Sequence, residues 1–125
     1  MRRMTQSYKE LIVWKRATEL VNAIYILTGG FPTAELYGLT SQMRRSSVSI
    51  PSNIAEGRYR GTRKDYLQFL RIAYGSGAEL ETQLEIARNL PHTKHLSYSE
   101  VDRLMNEVMK MLNAMIRNLA ERSSS

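Results

Sequence analysis

The chain has 125 residues, a formal net charge of +6, 42% apolar residues and no cysteine. That length supports one domain, residues 1–125, with a core of its own, and the missing cysteines exclude disulfides and thiolate metal sites, as expected in a reducing cytoplasm. The opening MRRMTQSYKELIVWKRA has no apolar run after its basic residues, and no segment approaches about 18 uninterrupted apolar residues, so neither a secretory signal nor a membrane span is expected.

The first helical pattern covers about residues 8–28. Val13, Ala17, Leu20, Ile24 and Leu27 recur at alternating spacings of four and three, one apolar stripe along a helix, which Leu11, Trp14, Val21 and Tyr25 widen. Gly29-Gly30 offers the left-handed conformations that end helices, and Phe31-Pro32 prevents resumption. The second pattern, about residues 34–57, takes Thr33 as N-cap and turns Leu36, Leu39, Met43, Ile50 and Ile54 inward. Ser46, Ser47 and Ser49 are small enough for a neighbouring helix to come close. Pro51 removes one backbone donor and crowds the Ser47 carbonyl, a cost of roughly 3 kcal/mol in a helix interior. Nearby serine hydroxyls can bond the backbone in compensation. The pattern reads as one helix kinked at Ile50-Pro51 and ending at Gly57; two shorter helices meeting at the proline are the alternative.

The third pattern, about residues 62–90, is capped by Thr62 and stopped by Pro91. Tyr66, Leu70, Ala73, Gly77, Leu80, Leu84 and Ala87 form a heptad seam, with Phe69, Ile72, Ile86 and Leu90 beside it. The fourth, about residues 98–121, opens at Ser97 or Ser99, where Ser97 and Glu100 have capping-box spacing. Val101, Met105, Val108, Leu112, Met115 and Leu119 form its seam, and the terminal ERSSS reads as a frayed tail. No alternating strand pattern competes. The expected fold is all-α, an up-down-up-down antiparallel four-helix bundle with a proline kink in its second helix. The first and third helices carry more apolar surface than one bundle buries, most plainly around Tyr66, Leu67, Phe69, Leu70, Ile72 and Ala73, which predicts a subunit interface.

Charge is concentrated in one stretch. Residues 44–71 sum to +5, against +2 for the residues before them and −1 for those after. Such a localised field attracts phosphates, nucleic acid or an acidic partner, whereas a merely solvated surface would keep the protein soluble. Gly57 and Gly61 flank Arg58, Tyr59 and Arg60 in GRYRG, which lacks the lysine and hydroxyl spacing of a phosphate-cradling loop and reads as a tight helix-to-helix turn presenting arginines. Guanidinium groups bind phosphate and aromatic rings stack on bases, so Arg44, Arg45, Arg58, Tyr59, Arg60, Arg63, Lys64 and Arg71 are the candidate nucleic-acid contacts. His92 and His95 are too few for a metal site and read as an exposed loop. Glu79, near the seam, is expected to pair with Arg44 or Arg45. No nucleophile–base arrangement is visible, so no enzymatic activity, cofactor or metal is expected.

The segments Tyr37-Gly38-Leu39-Thr40, Ser49-Ile50-Pro51-Ser52-Asn53-Ile54-Ala55-Glu56-Gly57, Phe69-Leu70-Arg71-Ile72-Ala73, and Gly75-Ser76 followed by Glu79-Leu80-Glu81-Thr82-Gln83-Leu84 resemble the 23S rRNA intervening-sequence family. A more distant resemblance is to the accessory protein of diversity-generating retroelements. The resemblance implies up-and-down bundles assembled as ring-shaped homopentamers, some encoded within insertions in ribosomal RNA genes, with no established enzymatic activity. It implies fold or contact roles for Arg45, Glu56, Gly57, Lys64 and Glu79, and the retroelement relative implies a basic surface that engages nucleic acid. Ser46-Ser47 stand where alanines are frequent in the family, and Gly77 stands where a larger apolar residue is usual, which predicts a loosened turn. Together these features predict a non-enzymatic oligomeric module contacting RNA or an RNA-associated protein. A purely protein–protein assembly module is the alternative.

Overall fold

The computed structural model describes residues 7–124, with the side chains of Ser123 and Ser124 outside that description. Residues 1–6 of the opening segment and Ser125 of the expected frayed tail also lie outside it. Helices α1 (Ile12–Gly29), α2 (Ser41–Arg60), α3 (Arg63–Asn89) and α4 (Ser99–Ser124) make up the described fold, with no strand among the described residues. Each packs against its neighbours in the chain, and α1 also packs against α4. Residue pairings give the directions. Ser46 meets Gln83, Ser49 meets Ser76 and Gly57 meets Phe69, so α2 and α3 run opposite ways. Gly77 against Met109 and Arg88 against Asp102 do the same for α3 and α4, and Arg16 against Glu107, with Leu27 beside Val101, for α1 and α4.

The seam residues of all four helices meet in one core, where Leu20, Ile24, Met43, Ile50, Ile54, Leu70, Leu80, Val108 and Leu112 are wholly buried. The apolar belt of α3 is mostly consumed there. Tyr66, Leu67, Leu70 and Ala73 are buried, Phe69 is partly covered, and Ile72 is left exposed. The tightest approach is between α2 and α3. A Cβ placed on Gly57 would stand 2.6 Å from the Phe69 Cβ and 3.4 Å from the Tyr66 Cα, so only a glycine permits this spacing. A polar layer lies in the same interface: buried Ser46 is 2.9 Å from Glu79 Oε1 and 3.0 Å from the Gln83 side-chain amide, and Ser49 and Ser76 hydroxyls share a 2.8 Å bond. The single Ser46 proton cannot serve every acceptor around it. The Gln42 carbonyl, Glu79 Oε1 and Gln83 Oε1 all lie within 3.0 Å of that hydroxyl and compete for it.

Several local expectations need correction. The second helix does not span residues 34–57: Thr33–Glu35 is a 3-10 turn, Leu36–Thr40 a π-type turn, and the regular helix begins at Ser41. Gly38, at φ −112° and ψ −110°, leaves the helical region, and Glu35 closes the turn by accepting the Leu39 N–H at 3.3 Å. At its other end α2 passes through Gly57 to Arg60, so Arg58, Tyr59 and Arg60 are its last turn rather than a loop. Gly61 is the residue that stops it, with φ +80°, a left-handed cap of the kind glycine supplies without steric cost. Pro51 sits inside α2, which remains one helix, while Asn53 Nδ2 donates to the Ser49 carbonyl at 2.8 Å. Gly30 closes α1 with right-handed angles; a side chain there would press on Leu96. Ser97 and Glu100 do not form a capping box: Glu100 pairs with Arg103, and Asp102 N–H bonds the Tyr98 carbonyl.

Candidate nucleic-acid interface

Thr62 turns the chain from α2 into α3, its hydroxyl accepting the Asp65 N–H at 3.2 Å. Arg58, Tyr59, Arg60, Arg63 and Lys64 therefore lie within one helical turn of the α2–α3 corner. The guanidinium of Arg58 sits 5.4 Å over the Tyr66 ring, and that of Arg60 lies 4.9 Å over Phe69 while pairing with Glu56 at 3.2 Å. Tyr59 projects from the corner, 82% exposed. Nearly two turns further along α3, Arg71 follows Lys64 at a spacing of seven, which returns it to the same helix face. Lys64, Leu67, Gln68, Arg71 and Ile72 line a shallow depression of about 480 Å³ there.

Arg44 and Arg45 do not join this group. They occupy the opposite end of α2, and at about 1.5 Å rise per residue Arg45 lies roughly 20 Å along the axis from Arg58. Arg44 stacks 4.5 Å over Tyr25 and donates from Nε to Thr28 Oγ1 at 2.9 Å; Arg45 donates to Ser41 Oγ at 3.2 Å. Neither is the partner of Glu79, which is exposed and accepts from Ser46. The expected arginine–glutamate pair gives way to a serine because Arg44 is drawn toward α1. The basic stretch is thus split into an α2–α3 corner and an α1–α2 notch. Tyr25, Leu36, Tyr37 and Val48, which surround Arg44 and Arg45 in the notch, are neighbours that helical spacing from the arginines alone does not reveal.

The cations differ in how they are compensated. Arg16 pairs with Glu19 and Glu107, Arg88 with Glu85 and Asp102, and Arg103 with Glu100 and Glu107. These carboxylates hold the guanidinium groups of Arg16, Arg88 and Arg103 above the ordinary arginine range, chiefly through hydrogen bonds from Glu107, Asp102 and Glu100 respectively. Among the described residues, Arg44, Arg45, Arg63, Lys64 and Arg71 have no carboxylate partner; nor do Lys9, Lys15, Lys94, Lys110 and Arg117, which are scattered over the rest of the bundle. Arg44 is held by an aromatic face instead, which fixes a guanidinium without cancelling its charge. Tyr66, beneath Arg58, is 4% exposed and its hydroxyl has no hydrogen-bond partner. Burial pushes its phenol above the usual tyrosine range, with the Arg58 cation opposing the shift.

Among the described residues no group of three or more His, Cys, Asp or Glu side chains is placed to hold a metal, and no helix is long and apolar enough to cross a membrane. His92 Nε2 lies 3.1 Å from Glu35 Oε2, tying the loop after α3 to the turn before α2. The arrangement offers cationic and aromatic contacts. Comparison with curated proteins gives no match. The family profile described as 23S rRNA-intervening sequence protein matches residues 9–114, which span the whole bundle core and both basic groups. The chain belongs to the 23S rRNA-intervening sequence protein family.

Proposed function

We propose that the protein is a non-enzymatic, cytoplasmic RNA-binding module that works as an oligomer and contacts the phosphate backbone through its α2–α3 corner. The observation that carries this reading is a cluster of uncompensated charge: Arg63, Lys64 and Arg71 all lie in the first third of α3, exposed and without a carboxylate partner among the described residues. The start of α3, just after Gly61, brings these cations together, and exposed Tyr59 at the end of α2 supplies a ring for an unpaired base. The family's description, which names an rRNA intervening sequence, supports an RNA context.

Arg63, Lys64 and Arg71 make the cleanest test, because Arg58 and Arg60 also cover Tyr66 and Phe69 and their loss would disturb packing. The triple substitution R63Q/K64Q/R71Q is expected to weaken binding to RNA at low salt while leaving helicity and thermal midpoint unchanged. Undiminished affinity in that variant would refute the assignment.

A purely protein–protein assembly role is the second reading, favoured by Ile26 at 80% exposure and by Ile72 and Ile86 on the outer side of α3. These residues also supply the apolar surface for self-association in the first reading, for which a homopentamer is the expected state. Light scattering at micromolar concentration is expected to give a multiple of the chain mass, and a strictly monomeric mass would remove self-association from both readings.

A further inference from the structure

The notch between the end of α1 and the start of α2 combines features that the α2–α3 corner lacks. It has a volume of about 520 Å³, and Tyr25, Leu36, Tyr37, Arg44, Arg45 and Val48 form its walls. Tyr37 is 94% exposed, and Tyr25, Leu36 and Val48 are each more than 40% exposed. Single exposed apolar residues are commonplace, but four around one concavity are not. Tyr37 stands on the π-type turn whose path is set by Gly38 outside the helical region and by Glu35 bonding the Leu39 N–H, so an irregular but tied-down backbone presents the ring. No acidic residue lines the notch. Arg44 is immobilised by Tyr25 and Thr28, and Arg45 by Ser41, with neither charge cancelled.

We infer that this notch is a stacking site for an unpaired base of single-stranded RNA, with Tyr37 as the platform and Arg45 as the contact for the flanking phosphate. The inference rests on the proposed RNA-binding role and specifies what kind of nucleotide a second subsite takes. An aromatic face attracts any base through its π surface, an adjacent guanidinium attracts the phosphate, and neither needs a paired partner strand. Arg45 lies about 20 Å along α2 from Arg58 and about 140° around its axis, so the notch faces a different side of the helix from the corner and is a separate subsite. Absence of carboxylates in the notch matches a polyanion better than an acidic-and-basic protein surface.

The test uses the full-length protein, a short fluorescein-labelled oligouridylate and an abasic strand of the same length carrying the same phosphates. Wild-type protein is expected to prefer the base-bearing strand. In a Tyr59→Ala background, which removes the ring offered at the α2–α3 corner, Tyr37→Ala, at a side chain too exposed to matter for folding, is expected to erase that preference, a loss of roughly five-fold or more, while the abasic affinity stays in place. Tyr37→Phe is expected to restore it, and Arg45→Gln to weaken both strands alike. Equal wild-type affinity for the two strands, or a preference that survives Tyr37→Ala in the Tyr59→Ala background, would overturn the stacking site while leaving phosphate binding at the corner standing. Failure of the wild-type protein to bind either strand would overturn both. A fall in oligomeric mass in Tyr37→Ala with base preference intact would assign the notch to a second copy of the chain instead.

Discussion

Gly57, Gly75 and Gly77 all lie inside helices, where replacing glycine by alanine is worth roughly 1 kcal/mol of helix stability. Their surroundings make the same methyl group behave in different ways. At Gly75 nothing stands within 4 Å of an added Cβ, so Gly75→Ala is expected to stabilise the protein by about the full helix increment. At Gly57 the methyl would strike the Phe69 Cβ and the α3 backbone, and overpacking of roughly 1–3 kcal/mol outweighs the gain. Gly77 faces the Met109 thioether, a flexible side-chain end, and Gly77→Ala should fall between the two. Denaturant midpoints for the series would check this order, and a stabilised Gly57→Ala would contradict the close helix approach. The turn at Gly77, which local propensity marks as loose, is in fact filled by a side chain from α4; a socket made by a distant helix leaves no local trace. The orphan hydroxyl of Tyr66 gives a second residue-scale expectation. Tyr66→Phe removes a buried, unpartnered group and should raise stability by roughly 1 kcal/mol at neutral pH. Because burial holds the folded phenol above its ordinary value, the unfolded chain ionises first as pH rises, so the wild type should lose stability in alkali more steeply than Tyr66→Phe, which keeps the similar shift at Tyr98.

At the scale of elements, signals carried by adjacent residues were the legible ones. Thr62 caps α3 through Asp65 and the chain leaves the helix at Leu90, just before Pro91, where the sequence places both ends. The entry to α2 was not legible, because it depends on contacts between residues far apart. Glu35 holds the Leu39 N–H with one oxygen and His92, from the loop after α3, with the other. That loop is itself anchored by buried Thr93, which bonds the Ala87 carbonyl and receives the Tyr98 hydroxyl on its own carbonyl. The bond from His92, then that from Leu39, hold the Glu35 carboxyl below the usual range. A lowered folded pKa contributes stability that is fully present above the unfolded value and lost as pH falls through the folded one. Thermal midpoints of wild type and Glu35→Gln should therefore differ near neutrality and converge in acid. Parallel curves across that range would show that the clasp is not formed. The exit from α2 misleads for a different reason. Gly57 has the look of a stop signal, yet it is a point of close packing, and the helix ends only at Gly61, where a positive φ is required.

For the whole molecule, the bundle follows from seam spacing, since heptad stripes leave few ways to bury four long amphipathic helices. The excess of charge in residues 44–71 was equally visible, but its division was not. Arg44 and Arg45 are carried to the far end of α2 from Arg58 and Arg60, while Lys64 and Arg71 align on the outer face of α3. Which cations keep their charge depends on carboxylates brought in from other helices, as Glu107 is to Arg16 and Asp102 to Arg88. The clustering of uncompensated Arg63, Lys64 and Arg71 at the start of α3 is what makes the α2–α3 corner a candidate polyanion surface. Its most direct test is the slope of log affinity for single-stranded RNA against log salt concentration, measured on material of known oligomeric mass. Each phosphate neutralised contributes about −0.7 to that slope, so the wild type should show steep salt dependence and R63Q/K64Q/R71Q a shallower slope by up to about 2 units for each participating chain. Salt-independent binding, or an unchanged slope in the triple variant, would contradict the assignment of the α2–α3 corner as the RNA-contacting surface.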